Sequence, residues 1–301
     1  MLAACLLLPL HLLWASPADT LLLQQHVTRL TGTAKARNHQ NLTELNQAAD
    51  YIKAEFARLN GHTREQAYAV DGDTFRNIIF TAGPANAPRL VIGAHYDVCG
   101  NQPGADDNAS GVAGLLELAR LLQNHTLPFL IEFVAYTLEE PPYFRTTHMG
   151  SYVHAESLAK QKAEVIGMVS LEMIGYFKDD KGTQQYPIAP MKAFYGTKGN
   201  YIAVVQRFGN GRFGRSFLRD FNRAANLPVK SLKAPAAIPG VDFSDHLNYW
   251  HFGFSALMIT DTSFYRNKNY HQPTDTVHTL NFARMADVVN GVYKTILSFR
   301  A

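Results

Sequence analysis

Apolar and polar residues recur along this chain with two different periods, and each period predicts a kind of element. Over residues 42–59 the apolar positions Leu45, Ala48, Ala49, Ile52, Phe56 and Leu59 fall at helical spacing, and the run stops at Asn60-Gly61. That is the pattern and the end signal of an amphipathic helix. Short β-like runs lie at 67–70, 77–81, 90–94, 130–136, 165–171 and 256–259. Helical spacing returns at 109–123, 149–160 and 212–225, and a final helix is predicted over 281–299. Strands that alternate with helices imply an α/β fold, a three-layer sandwich with a mixed, mainly parallel central sheet. In such sheets binding sites form beyond the C-terminal ends of the strands.

The first stretch, MLAACLLLPLHLLWASPA, stands apart: it carries no charge and gives way at once to polar, helix-like sequence. It is too short to span a bilayer and fits the apolar region of a secretory signal, although no Lys or Arg precedes it. Ser16 and Ala18 suit the −3 and −1 positions of a cleavage site, which makes Asp19 the first mature residue. The expectation is a signal peptide at 1–18, export to the periplasm or beyond the cell, and no membrane span in the mature chain. The alternative is an apolar first helix. No repeat or linker follows, so 19–301 reads as one domain.

Composition changes this picture little. Apolar residues make up 47% and charged residues 18%, a globular balance with ample core. A net charge of +3 with no basic run among aromatics gives no support to nucleic-acid binding. Without the leader, Cys99 is the one cysteine, so no intramolecular disulfide can form, and it reads as a small buried hydrophobe.

Chemistry gathers at the predicted strand ends. The run 90–94 leads into His95-Tyr96-Asp97, where alternation puts His95 and Asp97 on one face, which taken alone reads as a strand-end His beside a turn Asp or as a ligand with its orienting carboxylate. The octet GADDNASG at 104–111 follows in the same loop. The next strand closes on Glu139-Glu140 before Pro141-Pro142, a turn able to aim both carboxyls inward. Glu172 directly follows the apolar run GMVSL, where an unpaired buried carboxylate would be costly. His271 lies in YHQPTDT, ahead of the last helix, with Thr274 and Asp275 read as local caps. Two imidazoles and several carboxylates without a thiolate cluster suit zinc or a similar divalent ion.

The ordered motifs AHYD, PGADDNASG, Glu139-Glu140, LEMIGY, SDHLNYWHFG and YHQPTDT resemble those of co-catalytic zinc exopeptidases of the bacterial leucyl aminopeptidase type. That superfamily also holds glutamate carboxypeptidase II and the glutaminyl cyclases, and its fold is the phosphorylase/hydrolase-like sandwich. The resemblance implies two Zn2+ ions and peptide substrates cleaved at the N-terminal residue. It implies Asp106 as a bridge between the metals, with His95 and Glu172 at one ion, Glu140 and His271 at the other. Glu139 would be the general base and Asp97 would support His95. Asp245 and His246 would be supporting or substrate-side groups, and Asp107 a residue that shapes the loop. Glu172 stands where an Asp is usual. A glutaminyl-peptide cyclotransferase, a carboxypeptidase using Arg145, Arg212 or Arg266, and an inactive binding module are the alternatives. Aromatics near the motifs (Tyr143, Phe144, Tyr176, Phe177, Tyr249, Trp250, Tyr265 and Tyr270) hint at a preference for bulky apolar residues.

Overall fold

The computed structural model describes residues 18–209 and 211–299; the leader expected at 1–18 lies outside these except for Ala18. Among the described residues, eight strands form one sheet: β1 (His62–Val70), β2 (Asp73–Ala82), β3 (Arg89–His95), β4 (Leu130–Tyr136), β5 (Val165–Glu172), β6 (Ile202–Arg207), β7 (Val229–Ala234) and β8 (Ala256–Thr260). Their order is β1-β2-β4-β3-β5-β8-β6-β7. The pairs β4-β3, β3-β5, β5-β8 and β6-β7 are parallel, and β1-β2, β2-β4 and β8-β6 are antiparallel. The mixed, mainly parallel sandwich read from the sequence is the fold observed.

Among the described residues eight α-helices accompany the sheet: α1 (Thr20–Thr31), α2 (Leu42–Ala57), α3 (Gly111–Leu122), α4 (Gly150–Lys160), α5 (Met191–Tyr195), α6 (Gly211–Ala224), α7 (His246–His251) and α8 (Phe282–Ser298). Strand alternation divides the core in two. Ile92, Phe133, Val169, Leu171 and Ile259 face a large core with residues of α1, α2, α3, α6 and α8. Val91, Val134, Met168 and Met258 face the other side, towards α4 and α7. Because both faces are covered, β3, β4, β5 and β8 are almost wholly apolar until their last residues. That is where polar side chains collect.

Candidate active site

β3 ends at His95 and β5 at Glu172. The two strands run parallel with Gly93 opposite Ser170, so the same register carried two residues on sets His95 beside Glu172. His95 Nε2 lies 3.3 Å from Glu172 Oε2. The length of Glu172, unusual at this position, is taken up by Ser244, whose Oγ donates to Oε2 at 2.8 Å. Asp97 holds the neighbouring strand end: Oδ1 accepts from Glu139 N at 3.2 Å and Oδ2 from Glu140 N at 3.1 Å. It also sits 3.6 Å from His95 Nδ1, leaving Nε2 to face the site.

The octet 104–111 forms a broad helical turn broken at Asp107 and Asn108, whose φ/ψ of −100/94 and −129/38 are not helical. Gly104 adopts φ 61, and a Cβ there would lie 2.3 Å from the Asp107 carbonyl oxygen. A Cβ at Gly111 would lie 2.4 Å from the Leu171 oxygen, so this glycine lets α3 abut β5. Buried Arg37 donates to the carbonyls of Tyr96, Pro103 and Gly104 and fastens the turn from outside. Asp275 fastens it from within, accepting the amides of Asp106 and Asp107 at 3.0 Å each.

This clamp corrects one expectation. The Asp106 carboxylate turns away from the histidines, accepting from Gly175 N at 3.0 Å and from Asn267 Nδ2 at 2.8 Å. Asp107 takes the central place instead: Oδ1 is 3.4 Å from His95 Nε2 and Oδ2 is 3.2 Å from His271 Nε2. His271 Nε2 is also 3.3 Å from Glu140 Oε2. Asn108 Oδ1 accepts from Gly111 N, the first residue of α3, whereas Ser110 Oγ donates to the Asp106 carbonyl and accepts from Ile174 N. Asp275, read as a local cap, is a clamp. With Arg37, Asn267 and Ser244 it shapes the site, and local sequence gave no signal for these beyond an acid placed shortly after His271.

Two further expected groups are placed differently from each other. Asp245, at the start of α7, is fully buried with neither carboxyl oxygen hydrogen-bonded, and burial raises its pKa to about 7. His246 turns elsewhere: Nε2 is 2.8 Å from the Val241 oxygen and its ring meets Trp250 edge-on. Burial lowers its pKa to about 4, so it stays neutral.

The separations test the fit of a metal. Nitrogen and oxygen donors at ~2.0–2.1 Å from a tetrahedral zinc stand roughly 3.3–3.4 Å apart. The four pairs above measure 3.2–3.4 Å. Glu140 Oε1 has no hydrogen-bond partner, which a buried polar atom rarely tolerates, and the 3.2 Å contact of Asp107 Oδ2 with His271 Nε2 lacks the alignment of a hydrogen bond. Electrostatics point the same way. Burial raises Glu139 well above the carboxylate range and Glu140 to about 7. Burial also opposes charge on His95, yet Glu139 and Glu172 hold its pKa well above that of ordinary histidine. Four carboxylates facing two imidazoles call for added positive charge. Non-glycine residues in the left-handed region occur just beyond β4 and β5 (Leu138 φ 57 and Met173 φ 50) and at His271 (φ 56), as at many functional sites.

A cavity of about 240 Å³ opens beside these groups, with Asp107, Glu139, Glu140, Glu172 and His271 at one end. Its walls are mainly apolar and aromatic, from Phe144, Met191, Tyr201, Phe243, Met258 and Phe264 among others. Of the aromatics singled out in the sequence, Phe144, Tyr265 and Tyr270 line it, whereas Phe177, Tyr249 and Trp250 are packed in the cores. None of Arg145, Arg212 and Arg266 lines it. Arg145 pairs with Asp242 at 2.6 Å, and buried Arg266 donates to Gln184 Oε1 and the Tyr176 carbonyl.

Imidazole and carboxylate donors at metal-binding separations, gathered where parallel strands end, make this chain a metallohydrolase. Residues 77–296 match peptidase family M28, and the chain belongs to that family. It is a metallopeptidase, and zinc is the ion the family implies. It is 45% identical to the uncharacterized protein YfbL of Escherichia coli over 286 residues, 92% of this chain and 87% of that one. Leucine aminopeptidase 1 of Arthroderma otae is 28% identical over 225 residues, 69% of this chain and 54% of that protein. The chain thus spans about half the length of that aminopeptidase. Among solved structures, the LapA aminopeptidase of Legionella pneumophila superposes with a TM-score of 0.73 at 20% identity, covering 93% of this chain and 71% of that one. A glutaminyl cyclase of Bacteroides thetaiotaomicron reaches 0.71 at 17% identity, covering 95% and 100%. These two likenesses concern the fold.

Proposed function

We propose that the chain is a two-zinc aminopeptidase that removes bulky apolar residues from the N-termini of peptides. The observation that carries this reading is the position of Asp107, whose Oδ1 is 3.4 Å from His95 Nε2 and whose Oδ2 is 3.2 Å from His271 Nε2, while the two imidazoles lie beside Glu172 and Glu140 respectively. His95, Asp107 and Glu172 would hold one ion, and Asp107, Glu140 and His271 the second. Bound there, zinc supplies a lowered pKa for water and polarisation of a carbonyl oxygen. Glu139 is buried, opens into the cavity and lies 3.9 Å from His95 Nε2, close to both donor sets. It takes the proton of the attacking water and returns it to the departing amine, which needs a carboxylate within hydrogen-bond reach. The apolar walls receive the side chain, and the acidic end suits the α-ammonium of a peptide.

A cyclase needs only one of the donor sets, and the presence of residues for both favours the peptidase reading. A carboxypeptidase needs a cation for the terminal carboxylate. Among the described residues the one lysine lining the cavity, Lys230, donates to the Tyr195 carbonyl and lies over the Tyr201 ring. A panel of aminoacyl-anilides, run beside glutaminyl-peptide cyclisation on one metal-quantified sample, tests the reading. Each buried CH2 is worth roughly 0.8 kcal/mol, so the three extra carbons of leucine over alanine should raise kcat/KM about 50-fold. Cyclisation without hydrolysis would overturn it.

Export belongs to the same proposal. Cleavage after Ala18 would free the nitrogen of Asp19, which already donates to the buried carboxylate of Glu117 at 2.7 Å, while Asp19 caps α1 through Leu21 N and Leu22 N. The mass of the chain recovered outside the cytoplasm should correspond to a start at Asp19. A chain that retains residues 1–18 would count against it.

A further inference from the structure

We propose that Cys99 is a sulfur ligand of the ion held by Asp107, Glu140 and His271. The sequence read this residue as a small buried hydrophobe. In the structure it is half-buried and stands on the loop that leaves β3, two residues beyond Asp97. Its sulfur, a carboxylate oxygen of Glu140 and a ring nitrogen of His271 lie within 4.8 Å of one another. A tetrahedral zinc with sulfur at ~2.3 Å and nitrogen or oxygen at ~2.0 Å sets those donors roughly 3.6 Å apart, so the sulfur is within a small side-chain adjustment of ligation.

The neighbouring atoms give independent grounds. Glu140 is 4% exposed and its Oε1 has no hydrogen-bond partner; Asp107 is 2% exposed and its Oδ2 has none. His271 joins them: its Nε2 is 3.2 Å from Asp107 Oδ2 and 3.3 Å from Glu140 Oε2, and the thiol lies with Glu140 and His271. On binding, the thiol proton leaves to solvent and the thiolate joins the ion, so charge and protons balance. The consequence is an asymmetric pair: the site of His95 and Glu172 has nitrogen and oxygen donors alone, and its partner has sulfur as well, a softer set that favours zinc over magnesium or manganese.

The inference rests on the two-ion reading, and the test separates the two. The full chain and its Cys99→Ser and Cys99→Ala variants are loaded with zinc, counted for metal, and measured by zinc-edge X-ray absorption. The wild type should bind two ions with a sulfur neighbour at ~2.3 Å besides nitrogen and oxygen at ~2.0 Å. Both variants should lose the sulfur signal and hold the more weakly bound ion at least about tenfold less tightly. Loading with cobalt should give a sulfur-to-cobalt charge-transfer band in the wild type alone, and zinc should slow alkylation of Cys99 at least about tenfold. Two ions with no sulfur neighbour and free alkylation would overturn the ligand and leave the two-ion reading standing. A single ion with no sulfur neighbour would overturn both. Circular dichroism of the variants, altered at a half-buried loop position, separates metal loss from misfolding.

Discussion

Asp107→Asn should abolish peptidase activity and strip the chain of metal, whereas Asp106→Asn should leave both ions in place. The two residues are adjacent, both buried and chemically identical, so the pair is a demanding test of geometry. Asp107 offers one oxygen to each histidine-bearing donor set. Burial would raise its pKa, but its contacts with His271 and His95 hold it below the usual carboxylate range, so it is an anion ready for cations. An amide in its place removes the charge and turns a donor towards the metals. Removing one partner of a buried charge set costs roughly 3–5 kcal/mol, on the order of 10²–10⁴-fold in affinity or rate. Asp106 is the opposite case. Burial, reinforced by Asp261, raises its pKa well above the carboxylate range, and its oxygens accept from Gly175 N and Asn267 Nδ2. Replacing this acid, which is held by hydrogen bonds and faces neither histidine, with an amide costs about a hydrogen bond, roughly 1–3 kcal/mol of stability. Metal content by mass spectrometry and anilide hydrolysis check both variants. Metal loss in Asp106→Asn with retention in Asp107→Asn would restore the assignment drawn from the sequence.

The sheet-borne half of the site was legible because alternation along a strand is rigid. His95 and Glu172 each close an apolar run, and a two-residue period in parallel strands leaves little choice of face. Asp106 against Asp107 could not be decided that way. Inside 104–111 the side-chain directions depend on non-helical backbone at Asp107 and Asn108, and that backbone is held by Asp275 and Arg37, far away in sequence. A resemblance read by motif order has no means of correcting a slip of one residue within such a turn. β6 and β7 escaped for another reason. β7 is an edge strand reading VKSLKA, partly exposed along most of its length, so it lacks the apolar run that marked its neighbours. Their loss from the sequence reading hid much of the cavity, since Tyr201, Ala203, Val205, Lys230 and Leu232 line it. Cys99 was judged by residue type alone, and only folding shows what stands beside it.

Glu139→Gln should retain the metals and lose turnover. The substitution keeps shape and removes basicity, and the hydrogen bond that places this residue is spared: Asp97 grips its backbone N–H, not its carboxylate. The proposed donor sets of His95, Asp107 and Glu172 and of Asp107, Glu140 and His271 leave Glu139 free, its carboxylate at the cavity and 3.9 Å from His95 Nε2. Burial raises its pKa in the metal-free protein, the environment of a group suited to holding a proton in transit. A positioned base contributes typically about 10²–10⁴-fold, so kcat should fall by that factor. KM for a leucyl-anilide should move by no more than a fewfold, because the apolar walls that bind the side chain are untouched. Fewer bound ions in step with lost activity would make Glu139 a ligand. Near-normal kcat with full metal content would leave proton transfer to another group, and Asp245, buried with both carboxyl oxygens unpartnered, would then be the next residue to replace.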